Sequence, residues 1–185
     1  NATTPFNGNT ATGDTSYNGA ASWNQGIYGS IQDFAFSHDG KKLYVLLTSN
    51  TLYENILTTP WEITTSYWSG KTYEFGSMTA VGIQITDDGT KMHVRTSAGT
   101  IRELDFGTAF DILTLTDNSV TSATIPGTEQ IVTNDGNLIV TRSGNVLIEY
   151  TIDGSVASGI SVTVPSGYDT SWNFDFDSIV DDKKV

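Results

Sequence analysis

An all-β chain of repeated four-stranded antiparallel units is predicted by three observations. The first is an acidic turn that recurs ahead of a strand-like run: Asp39-Gly40-Lys41-Lys42-Leu43, Asp88-Gly89-Thr90-Lys91-Met92, Asp135-Gly136-Asn137-Leu138 and Asp182-Lys183-Lys184-Val185. The aspartates at 39, 88, 135 and 181 lie 49, 47 and 46 residues apart, a near-constant period that marks a repeated supersecondary unit. The second is a pair of further landmarks in the same order. Glu54, Glu103 and Glu149 close the runs Leu52-Tyr53-Glu54, Ile101-Arg102-Glu103 and Leu147-Ile148-Glu149, and Thr59-Pro60-Trp61-Glu62-Ile63 is echoed by Thr108-Ala109-Phe110-Asp111-Ile112 and by Thr3-Thr4-Pro5-Phe6. The third is that no window carries apolar residues at the i, i+3, i+4, i+7 spacing of a helix, while β-branched and aromatic residues fill the runs between turns.

Each unit reads as four strands. Strand one is Ile31 to Phe36, or Val81 to Ile85. It ends in an Asp-Gly turn, where glycine accepts the positive φ that tight hairpins demand. Strand two alternates Leu43, Val45 and Leu47, with Met92, Val94 and Leu138, Val140 at matching places, the period of two expected of a half-buried strand. A second turn (Ser49-Asn50, Ala98-Gly99, Ser143-Gly144) leads to strand three and its glutamate. Strand four is the most variable, at about Thr72 to Phe75, Thr121 to Ile125 and Ile160 to Val164.

Four antiparallel strands in a unit of this length, repeated, predict a β-propeller-like array in which each sheet packs on the next. A Greek-key sandwich, the competing architecture, predicts no equality of landmarks between units. The domain reading is one unit of 185 residues: a partial unit over 1–30, repeats over about 31–76, 77–126 and 127–167, and a partial unit over 168–185. Both partial units are out of phase, which fits three arrangements. The sequence is a segment of a longer protein, or a ring with a composite last blade, or its partial blades are completed by another subunit.

Nine basic and 21 acidic residues give a net charge of −12 and a pI near 4.2. Phosphate backbones would be repelled, so nucleic acid is disfavoured as a partner, and so is an anionic membrane surface. There is no cysteine, hence no disulfide or thiolate metal site. No run of about 18 apolar residues predicts a membrane-inserted helix.

Little of the sequence points to catalysis. His38 and His93 are the only histidines; neither adjoins a nucleophile motif such as G-x-S-x-G, and two are too few for a histidine-rich metal site. Asp87-Asp88, Asp181-Asp182, Asp175 and Asp177 offer oxygen ligands of the kind calcium takes. Turn capping is the simpler role for Asp88 and Asp181, and no D-x-D-x-D-G loop with a distal Glu is present. Neither a metal nor a cofactor is therefore expected. Glu54, Glu103 and Glu149 recur in every unit, so they read as construction parts, cross-strand partners for Lys or Arg. Equal environments do not split carboxylate pKa values as glycoside hydrolysis requires.

Trp61 shares its repeat position with Phe6 and Phe110 and reads as core between blades. Trp23, Trp68 and Trp172 are not repeat-equivalent and lie in turn-rich stretches, with Tyr67 beside Trp68. These four are the candidates for stacking on a sugar or meeting a protein, the alternative being that they cover the ends of an open array.

The runs Phe36-Ser37-His38-Asp39-Gly40-Lys41-Lys42-Leu43-Tyr44-Val45 and Thr59-Pro60-Trp61-Glu62-Ile63-Thr64-Thr65-Ser66-Tyr67-Trp68-Ser69-Gly70 resemble a β-propeller-like repeat. That repeat is familiar in virion structural proteins of tailed phages, notably those of marine bacteria and cyanobacteria, and in some exported bacterial proteins. The match is close over 31–70, fair over 81–117 and degenerate over 129–165, where the Thr-Pro-Trp element is lost. The resemblance implies a non-enzymatic virion component, such as a head decoration, fibre or appendage, acting at a virion surface or extracellularly. Its partners would be other virion or surface-assembly proteins, in a homo-oligomer or other symmetric assembly. A secreted or cell-surface propeller that binds glycans or forms filaments is the alternative. The repeat transfers no catalytic residues, and fold alone does not assign function.

Overall fold

The computed structural model describes residues 29–121, 125, 129–132, 137–143, 146–151 and 156–163. Residues 1–28 and 164–185, with Trp23 and Trp172, lie outside the described residues. So do Asp135, Gly136, Asp175, Asp177 and Asp181. What is described is twelve strands in three antiparallel sheets. Unit 1 comprises β1 (Ile31–Phe36), β2 (Lys42–Leu47), β3 (Thr51–Leu57) and β4 (Ser66–Glu74). Unit 2 comprises β5 (Ala80–Ile85), β6 (Lys91–Thr96), β7 (Ile101–Phe106) and β8 (Leu115–Thr121). Unit 3 comprises β9 (Glu129–Val132), β10 (Leu138–Ser143), β11 (Val146–Thr151) and β12 (Val156–Thr163). In each sheet the strands pair in chain order. The only helical segments among the described residues are two 3-10 turns, Ile63–Thr65 and Ile112–Thr114, each leading into a fourth strand.

Sheets stack through their faces. Tyr44, Leu46 and Leu52 of unit 1 share one apolar cluster with Ile83, Ile85, Met92, Val94, Leu104, Phe106 and Ile112 of unit 2. Ile101 of unit 2 joins Val132, Ile139 and Tyr150 of unit 3 in a second. The face of a sheet turned toward the following unit is called its rear, and the opposite face its front. Burying a Leu, Ile or Met side chain is worth about 1.5–3 kcal/mol, so the joint between units 1 and 2 is the main store of stability in view.

First strands are also tied edge to edge. The Asp33 carboxylate accepts from the Ile83 amide at 2.8 Å. The Gln84 side chain clasps the Val132 backbone at both its N–H and its carbonyl. Burial outweighs the amide bonds and pushes the Asp33 pKa up. Where unit 1 hands over to unit 2, the Asn50 carboxamide accepts from the Ala80 amide and donates to the Met78 carbonyl.

Three expectations need correction. Strand two was expected to be half-buried, yet Leu43 through Leu47 are buried without a break: Tyr44 and Leu46 lie in the joint with unit 2, while Leu43, Val45 and Leu47 cluster with Leu57 on the opposite face. In unit 3 the match to Met92 and Val94 falls on Ile139 and Thr141, not on Leu138 and Val140. Phe36↔Leu43, Ile85↔Met92 and Val132↔Ile139 span the same turn length. The following hairpin, closed by Ser143↔Val146, is one residue shorter than in units 1 and 2; this returns Glu149 to the register of Glu54 and Glu103. Fourth strands begin at Ser66, Leu115 and Val156, not at Thr72, Thr121 and Ile160; in units 1 and 2 the chain leaves its 3-10 turn already extended, at Ser66 and Leu115.

Candidate functional site

Two devices recur with nearly the same geometry in units 1 and 2, and the second supplies a join between them. The first is the acidic turn. Asp39 accepts from the Ser37 hydroxyl at 2.7 Å and the Lys41 amide at 3.0 Å, while the Gly40 amide donates to the Ser37 carbonyl at 2.8 Å. Asp88 accepts from the Thr86 hydroxyl at 2.7 Å and the Thr90 amide at 3.0 Å, and the Gly89 amide donates to the Thr86 carbonyl at 2.8 Å. The hydroxyl two residues before each aspartate escaped the sequence reading. Its signal was in view as Ser37-x-Asp39-Gly40, Thr86-x-Asp88-Gly89 and Thr133-x-Asp135-Gly136.

Hydrogen bonding from Thr86 and Thr90 lowers the Asp88 pKa. At Asp39 the largest influence is desolvation, which raises it, but the bonds from Ser37 and Lys41 together outweigh that and lower it. Carboxyls held below their unfolded value stabilise the fold above that value, and the stability is lost as pH falls through the folded pKa. Asp88→Ala should therefore cost about 1 kcal/mol at neutral pH, with the difference from wild type shrinking below about pH 4. Urea melts at pH 7 and pH 3 measure both.

The second device is the aromatic over the turn. Gly40 and Gly89 have φ of +67° and +68°, and a Cβ built on either would stand 2.4 Å from the Trp61 ring or 2.3 Å from the Phe110 ring. Trp61 and Phe110 themselves carry positive φ, +67° and +60°, a left-handed conformation that costs a bulky residue energy and persists only where its surroundings impose it. Here the Trp61 and Phe110 amides donate to the Gly40 and Gly89 carbonyls at 2.9 and 3.0 Å. Trp61 was expected to be core, but it is 58% exposed. It caps its own turn and packs on Phe36 with ring centroids 5.4 Å apart.

The left-handed turn also aims a carbonyl at the neighbouring unit. The Phe110 carbonyl accepts from both Lys42 Nζ and the Tyr44 hydroxyl, each at 2.7 Å. Beside it Lys71 Nζ donates to Asp111 at 2.8 Å and lies 3.8 Å from Glu54, and Lys42 Nζ lies 3.2 Å from Glu54. The Asp111 partner raises the Lys71 pKa, and Lys71 in turn lowers that of Asp111. Burial and the nearby carboxylates push the Tyr44 hydroxyl far up, so it serves as a neutral donor at every physiological pH.

Unit 2 repeats the donor set on its own rear face, where Glu103 meets Lys91 Nζ at 2.5 Å, Asn118 Nδ2 at 2.7 Å and His93 Nε2 at 3.2 Å. Desolvation alone would raise the Glu103 pKa, but these three donors bring it down. In unit 3 Glu149 is half-buried opposite Val140, and Leu138 occupies the place of Lys42 and Lys91.

The four binding candidates are not gathered into one place. Trp68 is half-buried, donates its indole N–H to the Lys71 carbonyl and leans on Tyr53 at 6.3 Å. Tyr67, 46% exposed, is the adjacent residue of β4 and projects from the opposite face. His38 is exposed, with Nδ1 3.5 Å from an Asp87 carboxylate oxygen on the neighbouring turn. No group of three or more His, Cys, Asp or Glu side chains placed to hold a metal occurs among the described residues.

No protein-family model matches the chain, and no curated protein matches it in sequence. Solved structures do match it in fold. Hsv2 of Kluyveromyces lactis superposes with a TM-score of 0.50 at 11% identity, over 74% of this chain and 38% of that one. The β-propeller domain of Cps50 (Swd1) from Myceliophteria thermophila gives 0.47 at 14%, over 72% and 41%. A protein of Bacteroides uniformis described as a putative 6-phosphogluconolactonase gives 0.48 at 17%, over 71% and 40%. The chain thus matches less than half the length of each. Three consecutive four-stranded antiparallel sheets, stacked face to face, make this chain a β-propeller-like array.

Proposed function

We propose that the chain is a non-enzymatic structural component of a larger assembly, joined to its neighbours through blade faces. The observation that carries this reading is an inequality between repeat-equivalent residues. Ile83 on the front of unit 2 is 8% exposed beneath unit 1, whereas its equivalent on the front of unit 1, Phe34, is 56% exposed. Trp61, equivalent to Phe110, sits at the same front edge. The join between units 1 and 2 indicates what such an edge accepts: another blade of this repeat, bringing a Lys-x-Tyr second strand to the Trp61 carbonyl and a lysine to Glu62.

The chemistry-bearing side chains that recur, Asp39, Asp88, Glu54, Glu103 and their lysines, are engaged in holding turns and blades. The resemblance of residues 31–70 to repeats of tailed-phage virion proteins supports a virion exterior as the site of the proposed assembly. Antiserum to the chain, applied to density-gradient fractions of the producing culture, tests this. Labelling of tailed particles is expected, and Phe34→Asp should abolish incorporation while leaving the circular dichroism spectrum unchanged. Labelling confined to cell envelopes, together with binding on a glycan array that Trp68→Ala removes, would overturn the virion reading in favour of the sugar-binding one.

A further inference from the structure

The joint between units 2 and 3 differs from that between units 1 and 2 at its centre. Tyr44 and Val94 belong to the same cluster at the first joint, on the rear of unit 1 and the front of unit 2. The strand register places His93 and Thr141 at the equivalent positions of the second. His93 is only 2% exposed and Thr141 is fully buried. His93 Nε2 faces Glu103, but neither His93 Nδ1 nor Thr141 Oγ1 has a hydrogen-bond partner. Tyr44, by contrast, reaches across its joint to the Phe110 carbonyl.

Glu103 accepts from Nε2, so the neutral ring carries its proton there and leaves Nδ1 bare. The ionisable groups around it among the described residues are Glu103 on β7, Lys91 and Arg95 on its own strand and Tyr150 on β11 of the facing unit. Gln84 on β5 and Asn118 on β8 contribute uncharged amides. Glu103 already serves Lys91 and Asn118, so a second positive charge on the imidazole is poorly compensated there. The new Nδ1–H would face a joint built of Ile101, Val132, Ile139 and Tyr150.

We propose that the joint between units 2 and 3 is acid-releasable, with His93 as its trigger. Desolvation lowers the His93 pKa beneath its ordinary 6.5 despite the Glu103 partner. A histidine depressed in this way stabilises the fold above its unfolded pKa, and the contribution disappears as pH falls below it. Unit 3 therefore loosens on acidification below about pH 6.5, while the tyrosine-locked first joint holds.

Hydrogen exchange of the full chain, followed by mass spectrometry from pH 7.5 to 5.0 and corrected for intrinsic rates, tests this. Protection in β7, β9 and β10 should fall by up to about tenfold per pH unit on the acid side, with β2 and β3 unchanged. His93→Gln should hold that protection constant across the range. Should the variant fail to fold, an NMR titration of the wild-type imidazole decides the matter: His93 should take up its proton together with the loss of protection. Protection that stays flat in the wild type, or falls equally in the Gln variant, overturns the proposal, as does a His93 that titrates at or above 6.5 with the joint intact.

Discussion

Replacing Gly89 with alanine is expected to destabilise the protein by about 2–5 kcal/mol, the largest effect of any single methyl group in the described structure. Two costs add. A left-handed alanine is worth roughly 1–2 kcal/mol against glycine, and forcing a methyl into occupied space costs roughly a further 1–3 kcal/mol. Here that space belongs to the Phe110 ring, 2.3 Å from the added carbon. Phe110 cannot simply retreat, because its carbonyl holds Lys42 and Tyr44 of the adjacent sheet. Gly40→Ala meets the same dihedral but an exposed indole that can swing away, so its cost should stay near the lower figure. Denaturant midpoints for the two variants make the comparison. Equal losses would mean that the ring over the turn contributes nothing beyond the backbone term.

Ile112→Ala should cost about 2–5 kcal/mol, as large-to-small changes in well-packed cores do. Ile112 is 0% exposed and lies in the cluster joining units 1 and 2. Its repeat equivalent Ile63 is 41% exposed, and Ile63→Ala should cost less than about 1 kcal/mol. Thermal melts of both variants read this contrast. It separates the stability of a buried front edge from that of an exposed one within the same molecule. If the two substitutions proved equally damaging, unit 1 would be covered as fully as unit 2, and the case for a further blade partner would collapse.

The architecture was legible because it rests on local chemistry. Asp-Gly turns at 39–40 and 88–89 set hairpins of equal length, and the runs between them are too short and too β-branched for helices. Register in unit 3 was harder. Sequence similarity favoured Leu138 as the partner of Met92, whereas turn length selects Ile139, and only the paired backbone distinguishes them. The exposure of Trp61 could not be read at all. A tryptophan at a repeat position is core where another blade covers it and surface where none does, which is a fact about the neighbour and not about the residue. Left-handed Trp61 and Phe110 gave no sequence signal, since bulky residues rarely adopt that conformation. The inter-unit bonds of Lys42, Tyr44 and Lys71 likewise required the sheets to be placed side by side.

Because the acceptor in that join is the peptide oxygen of residue 110 and not a side chain, the contact survives when the residue's identity drifts, so long as the backbone keeps its left-handed bend. Tryptophan at 61 and phenylalanine at 110 already exemplify the latitude. A module that keeps this bend can be seated against any second strand that brings the lysine and the tyrosine, whichever aromatic it carries.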